Sequence, residues 1–204
     1  MLILGGDVTP ESLLGIGVGL ALAAAAGFRV FVPLLVLSLA ARGGWIELSP
    51  SFAWLATTSA SVALATAMVL EVAAYYVPFF DNFLDTLAAP VAVLAGIVAS
   101  ASVLTDLPPW LQYSIAIIGA GGTAGVVHAS TSLLRLKSSA ATAGIGNPIL
   151  ATLELGGSIL IALLAVLAPL LALAAAVVIV WMVAKRVTAW RLANARGAAE
   201  SSPR

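Results

Sequence analysis

Four ionisable side chains stand inside long apolar segments of the chain: Arg29, Glu71, His128 and Glu154. An ionisable group in hydrocarbon costs on the order of 3 kcal/mol, so each one needs a physical reason. One interpretation is that these side chains line a path for an ion or a small polar solute. The other is structural: Arg29 forms an ion pair with Glu71 that pins two helices, and the remaining groups form local hydrogen bonds near helix ends.

Three of these groups are expected at a similar depth, near one end of the helices that carry them. Glu71 lies about two turns before Pro78, Glu154 lies about two turns after Pro148, and His128 is near the end of its own segment. Titratable groups from three helices at one level would form a proton or cation site. Proton coupling through the carboxylates is therefore a further expectation.

Asp81 and Asp85 are four residues apart, so a helix that starts at Asp81 carries both on one face near its N-terminus. The helix dipole favours negative charge there, and aspartate is a good N-cap residue. Together with Glu71, the two carboxylates would also offer oxygen ligands to a divalent cation such as magnesium or calcium. The spacing leaves both interpretations open, and the identity of any metal with them.

The composition limits the class of protein. The chain has 204 residues, of which 62% are hydrophobic and 9% charged. Soluble domains are about half apolar and about a quarter charged, so the composition predicts an integral membrane protein. Nine basic and nine acidic residues give no net positive charge, which argues against a nucleic-acid partner. No cysteine and a single histidine exclude iron–sulfur clusters and bis-histidine haem, and no cofactor is predicted.

The apolar pattern predicts an all-α fold: a polytopic bundle of about six transmembrane helices, formed by one transmembrane domain, residues 12–189. The predicted spans are 12–41, 52–77, 87–104, 110–134, 148–167 and 169–189. Four prolines are expected to break or end helices: Pro33, Pro78, Pro148 and Pro169. Residues 1–11 contain no basic residue, so the first segment is expected to be a retained helix and not a cleaved signal peptide.

Positive charges set the predicted orientation. Arg135 and Lys137 precede the fifth span, and the region after the sixth span includes a basic tail, residues 190–204. The positive-inside rule then places both termini in the cytoplasm of a bacterial inner membrane. A cut at residues 105–109 gives three spans on each side, and an odd number per half predicts inverted halves, as in many secondary transporters.

Glycines spaced four residues apart let transmembrane helices approach closely. Two such pairs are predicted to pack helices: Gly15 with Gly19, and Gly121 with Gly125. The first span is also expected to be broken, close to Arg29. Because six short helices with glycine faces enclose little volume, a homo-oligomer is expected, with a dimer as the simplest form.

A family resemblance rests on residues spread along the chain. They are Gly27-Phe28-Arg29 with Pro33, Glu71 with Pro78, Asp81 and Asp85, then His128, Arg135, Asn147-Pro148 and Glu154. In this order they resemble the bacterial integral-membrane family called domain of unknown function 4126, over about residues 15–183. The resemblance implies no activity, but it implies that five charged residues belong to a family pattern: Arg29, Glu71, Asp81, Asp85 and Glu154. That pattern often has an Asp-Lys pair before the proline, where this chain has Tyr75 and Tyr76.

The sequence favours a small membrane transporter or channel for an ion or small polar solute, surrounded by the lipid bilayer. A non-transporting accessory or assembly subunit is the alternative, since it needs only packing motifs and structural ion pairs. The third interpretation is a membrane enzyme that acts on lipid through Asp81, Asp85 and His128.

Overall fold

The computed structural model confirms an all-helical fold, and its described part contains no strand. It describes residues 9–76 and 80–169, with the backbone alone for 80–86, and residues 171, 178, 181, 182, 185 and 186. The α-helices are α1 (Pro10–Phe28), α2 (Phe31–Arg42), α3 (Thr58–Tyr75), α4 (Phe80–Val103), α5 (Pro109–Ser114), α6 (Gly121–Thr142) and α7 (Asn147–Leu167). A 3-10 helix, Pro50–Ala56, precedes α3, and a π-helix, Ile115–Ala120, joins α5 to α6.

Four helices of the described chain are long and apolar enough to cross a membrane: Pro10–Phe28, Thr58–Tyr75, Pro109–Thr142 and Asn147–Leu167. Two further apolar stretches, Phe31–Arg42 and Leu87–Val103, are shorter. Large apolar side chains such as Leu70, Ile118 and Leu153 are exposed. This combination is typical of a protein surrounded by lipid, while the predicted count of about six spans stays a prediction.

The first predicted span is broken, and the chain turns back at the break. Arg29 has an extended backbone (φ −144°, ψ 123°) between α1 and α2. The start of α1 and the segment that follows α2 both meet the C-terminal end of α4: Gly15 lies against the Val103 carbonyl, and the N–H of Ser49 donates to the Ser102 carbonyl (2.8 Å). The two helices therefore form a helical hairpin, called here the α1–α2 hairpin, with its tip at Arg29.

The position of the break follows from Pro33, the third residue of α2. A proline has no N–H to donate to the carbonyl four residues earlier, and its ring collides with that carbonyl. The carbonyl four residues before Pro33 belongs to Arg29, so a proline here favours an interruption of the helix at this residue. Pro33 itself is accommodated in the first turn of α2, where an N–H has no partner within the helix.

The hairpin differs from the predicted path of residues 12–41, which were expected to cross the membrane once. The start of α1 lies beside Val103 and Leu104. The end of α6 lies at the opposite end of the bundle, since α6 passes Ile97 at Gly121 and Val93 at Gly125 as it runs towards the start of α4. The predicted topology had placed the N-terminus on the same side as the connection after α6. Hydropathy does not distinguish a broken helix that continues from one that reverses.

α1 is the central helix of the bundle. Residues 21–26, five alanines and one leucine, are fully buried. Helices with such small side chains can approach one another closely. Gly96 of α4 lies where three helices meet, because a Cβ at this position would contact Ala23 of α1 and Ala124 of α6.

The four glycines predicted to pack helices all lie against α4: Gly15 and Gly19 from α1, and Gly121 and Gly125 from α6. α1 and α6 run in the same direction, since Leu20 neighbours Gly119 and Gly27 neighbours Val127. Inverted halves that pair these two glycine-rich helices would require opposite directions. The observed direction differs from that expectation, because apolar glycine patterns resemble one another by composition alone.

The remaining predicted helix breakers lie near helix ends where the structure describes them. Pro148 is the second residue of α7, and α7 ends at Leu167, two residues before Pro169. The residue before a proline is forced out of the helical region, which explains the non-helical backbone of Ala168. Pro78, residues 1–8, most of the sixth predicted span and the tail 190–204 lie outside the described residues.

We predict that Gly27→Ala destabilises the fold. A Cβ at Gly27 would lie 2.6 Å from the Val127 Cβ and 2.7 Å from the Ala124 carbonyl oxygen, so α1 and α6 must move apart. Overpacking of this kind costs about 1–3 kcal/mol. Thermal unfolding of the purified protein in detergent should show a lower Tm. Gly122→Ala is the matched control, because no atom lies within 4 Å of its added Cβ; equal Tm values for the two variants would contradict the prediction.

Candidate functional site

Two arginines and a glutamate meet beside the hairpin tip. Nη2 of Arg29 lies 3.5 Å from Oε2 of Glu154 in α7, and Arg135 of α6 forms an ion pair with the same oxygen. Arg29 is 1% exposed, Arg135 2% and Glu154 7%. Removing one partner of an ion pair buried this deeply costs about 3–5 kcal/mol.

Tyr75, the last residue of α3, packs between the two arginines. The Cζ atoms of Arg29 and Arg135 each lie 4.0 Å from the centroid of its ring. Both guanidinium groups therefore stack against this one ring. Desolvated cation–π contacts contribute about 2 kcal/mol each. Arg29, Tyr75, Arg135 and Glu154 are called here the arginine cluster.

Glu71 caps the second helix of the hairpin. Its carboxylate accepts hydrogen bonds from the backbone N–H groups of Val30 (2.8 Å) and Phe31 (3.2 Å), at the start of α2. These N–H groups have no partner within the helix, and the helix dipole favours a negative charge beside them. The direct ion pair predicted between Arg29 and Glu71 is therefore replaced by one between Arg29 and Glu154. Spacing alone does not tell which carboxylate an arginine meets.

α7 completes the hydrogen bonding of the hairpin tip. Oγ of Ser158 donates to the Ala25 carbonyl (2.9 Å), in the last turn of α1. Nη2 of Arg29 donates to the Ala151 carbonyl (2.9 Å). The interrupted backbone is thus tied to α3 at the start of α2 and to α7 at the end of α1.

His128 is buried at the depth of the hairpin tip. Its neighbour Val127 packs against Gly27, and its own Nε2 lies 3.5 Å from Oγ of Ser132. The carbonyl of His128 accepts a hydrogen bond from Thr131 (2.9 Å). A role of His128 in binding an ion or solute stays a prediction, as do such roles for Glu71 and Glu154.

Asp81 and Asp85 lie in the first two turns of α4, which begins at Phe80. Their side chains lie outside the described part of the chain. Among the side chains that are described, no group of three histidine, cysteine, aspartate or glutamate residues is placed to hold a metal ion. Metal binding by the two aspartates and Glu71 therefore stays a prediction.

Two members of the arginine cluster were not singled out as site residues from the sequence. Arg135 was counted as a positive charge of a cytoplasmic connection, yet it lies inside α6 and is buried. Its spacing of seven residues from His128 places both on one helix face, and this was a usable signal. From the sequence, Tyr75 is identified only as a position where this chain differs from the family pattern. Nothing in the sequence places its ring between two arginines.

The sequence profile of the family described as "Domain of unknown function (DUF4126)" matches residues 16–189. The chain belongs to this family. The match includes the hairpin from residue 16 onwards, every member of the arginine cluster and Glu71, and it confirms the resemblance found in the sequence. Searches of the curated proteins and of the solved structures find no match. The description of the DUF4126 family assigns no activity, so function is argued from the site.

We predict that Glu71→Ala destabilises this DUF4126 protein by on the order of 3 kcal/mol, because two backbone N–H groups at the hairpin tip lose a charged acceptor. Glu71→Gln should lie between wild type and Glu71→Ala, since an amide oxygen accepts only part of this bonding. Thermal unfolding in detergent measures the effect. Glu47→Ala, which removes an exposed carboxylate at the other end of the bundle, should leave Tm unchanged. A Glu71→Ala protein as stable as this control would refute the capping role.

The ring of Tyr75 should matter more than its hydroxyl group. Tyr75→Phe keeps both guanidinium contacts and should retain most of the stability, whereas Tyr75→Leu should lose about 1–3 kcal/mol. The neighbouring Tyr76→Leu is the matched control, because Tyr76 is exposed and loses a single hydrogen bond to Thr152. The comparison uses Tm values measured in one detergent. Equal losses at positions 75 and 76 would argue against the stacking.

Proposed function

We propose that this DUF4126 protein is a small membrane transporter or channel for an ion or small polar solute, which passes beside the arginine cluster. The observation that carries the proposal is the hairpin tip, where the chain reverses among buried charges. Non-helical backbone at membrane depth is tolerated where protein buries it or where it lines a cavity. Ionisable side chains buried within a helix bundle often mark substrate and ion pathways in membrane proteins.

The energetic cost of the arginine cluster supports the same proposal. Apolar side chains of equal volume are often as stabilising as a buried ion pair, or more so. The alanines and glycines of α1 already join it to α4 and α6, so two buried arginines are not needed for this packing. A role in moving a charged or polar solute gives a reason for placing them there.

Glu154 is the group through which we propose proton coupling. Its carboxylate binds arginines from α1 and α6, so a proton on Glu154 would weaken the attraction that ties α7 to both. Uptake and release of that proton would change how the three helices are held. Glu71 is less suited to this role, since its carboxylate is engaged by the backbone of α2.

The proposal places the protein in the bacterial inner membrane, where a proton gradient is available for coupling. A homodimer remains part of the proposal. The glycine pairs of α1 and α6 contact α4 within the same chain, so a dimer would use another surface.

A non-transporting accessory or assembly subunit is the alternative function. The exposed side of α3 favours it, because Val62, Val69 and Leu70 are each about 60% exposed and leave an apolar surface for a partner helix or lipid. In this case the arginine cluster would serve only to hold α1, α6 and α7 together. Loss of the cluster would then lower stability without changing any flux.

We predict that the protein reconstituted in liposomes increases the flux of at least one small solute over protein-free liposomes. A suitable panel contains potassium and sodium salts, nitrate, chloride, phosphate and uncharged polar solutes, with uptake followed by light scattering. Arg135→Gln should reduce this flux roughly tenfold or more, equivalent to about 1.4 kcal/mol in the barrier. The reason is the loss of a buried cation beside the path.

Lys137→Gln is the matched control, because Lys137 lies on the same helix two residues away and is exposed. Its flux should stay within about twofold of wild type, as expected for a surface substitution. Size-exclusion chromatography in detergent checks folding, and Arg135→Met, which also removes the charge, replaces Arg135→Gln if the latter aggregates. Wild-type protein that moves no solute of the panel, or equal fluxes for the two positions, would contradict the proposal and favour the accessory function.

A further inference from the structure

We infer that the arginine cluster is a binding site for a small monovalent anion, which enters when a proton neutralises Glu154 and its carboxylate leaves the two arginines. This inference rests on the proposed function and names the substrate class for it. The anion and the proton would then be moved together, one of each.

One oxygen atom of Glu154 interacts with both arginines of the cluster. Oε2 of Glu154 lies 3.5 Å from Nη2 of Arg29 and forms an ion pair with Arg135. Two guanidinium groups from different helices therefore converge on a single negatively charged atom. A carboxylate or a small inorganic anion has the charge and the acceptor geometry to replace it.

The groups that surround the site are mainly hydrogen-bond donors. The ring of Tyr75 contacts both guanidinium groups and so helps to hold them beside Glu154. The N-terminus of α2, whose dipole favours negative charge, also points at the hairpin tip. Both described carboxylates at the tip are engaged, Glu71 by two backbone N–H groups and Glu154 by the arginines. A cation would have to displace the donors of one of these carboxylates, whereas an anion would bind the two arginines that Glu154 leaves.

The charges that face Glu154 explain why a proton should accompany the anion. Among the described side chains they are Arg29 at the end of α1 and Arg135 in α6, with Glu71 and Tyr75 of α3 behind the arginines. α2 has a single charged residue, Arg42 at its far end, and α7 has none besides Glu154. When a proton binds the carboxylate, one negative charge is lost beside two arginines. A monovalent anion in its place restores the former charge, so the exchange is electroneutral within the site.

The test uses Glu154→Gln, which mimics the protonated side chain at every pH. The purified full-length protein in detergent is titrated with sodium nitrate, which replaces sodium gluconate at constant ionic strength, and Tm is followed. A ligand that binds only the folded protein raises Tm in proportion to the logarithm of one plus the ratio of ligand concentration to Kd, so the curve yields an apparent Kd. At pH 7.5 the apparent Kd for nitrate should be at least about tenfold lower for Glu154→Gln than for wild type. Glu47→Gln, the matched control, should behave as wild type.

Wild-type protein supplies a second measurement that does not depend on the folding of any variant. Where Glu154 is ionised, uptake of one proton per nitrate requires the apparent Kd to fall about tenfold for each unit of pH that is lowered. Arg135→Lys in the Glu154→Gln background should weaken nitrate binding, since lysine lacks the planar fork and the ring stacking of arginine. Lys137→Gln in that background should leave nitrate binding unchanged.

The outcomes separate this inference from the proposed function. The anion site would be overturned if nitrate changed the Tm of wild type and of Glu154→Gln equally. A nitrate Kd that is independent of pH in wild type would also overturn it. Flux of potassium, sodium or a neutral solute without nitrate binding or nitrate flux would also overturn it, while transport itself would stand. Saturable nitrate binding to Glu154→Gln, with no flux of any solute through wild type, would support the anion site and refute transport.

Discussion

The rest of the structure depends on how the polar backbone at the tip of the α1–α2 hairpin is satisfied. A helix that is interrupted among apolar helices leaves N–H groups at the start of the second helix and carbonyl groups at the end of the first. Without water, each unsatisfied group costs several kcal/mol. Glu71 accepts two of the N–H groups, and Ser158 donates to a carbonyl of α1. These partners come from α3 and α7, so the break fixes the position of both helices around α1.

This requirement explains why charges collect at one level of the bundle. A carboxylate is the strongest available acceptor for the start of α2, and its burial beside the hairpin favours nearby cations. Arg29 lies at the break itself, where an extended backbone directs its side chain to α7 and Glu154. Arg135 and Tyr75 extend the cluster to α6 and α3. Four helices thus meet through a small set of polar contacts, while small apolar residues join the remainder of the bundle.

Sequence reasoning reached the parts of this arrangement that follow from local chemistry. The all-α fold, the broken first span and the importance of Arg29, Glu71 and Glu154 could be read from hydropathy, from Pro33 and from the rarity of buried charge. The direction of α2 could not, because a single extended residue allows both continuation and reversal. The sequence also did not predict that Arg29 pairs with Glu154 and not with Glu71, because this depends on which helices become neighbours.

The arginine cluster could serve as a purely structural ion pair or as a binding site, and the partners of its charges bear on this choice. In a purely structural role each charge keeps a fixed partner, as the carboxylate of Glu71 does with the backbone N–H groups at the start of α2. Glu154 differs, because it is shared by two arginines on two helices and can leave both in a single step when it is neutralised. After that step the helix break keeps its Glu71 cap and its Ser158 contact, while the two buried arginines need another negative partner in place of Glu154. A removable carboxylate beside a fixed one is therefore the arrangement in which a solute can replace a side chain without dismantling the helix break.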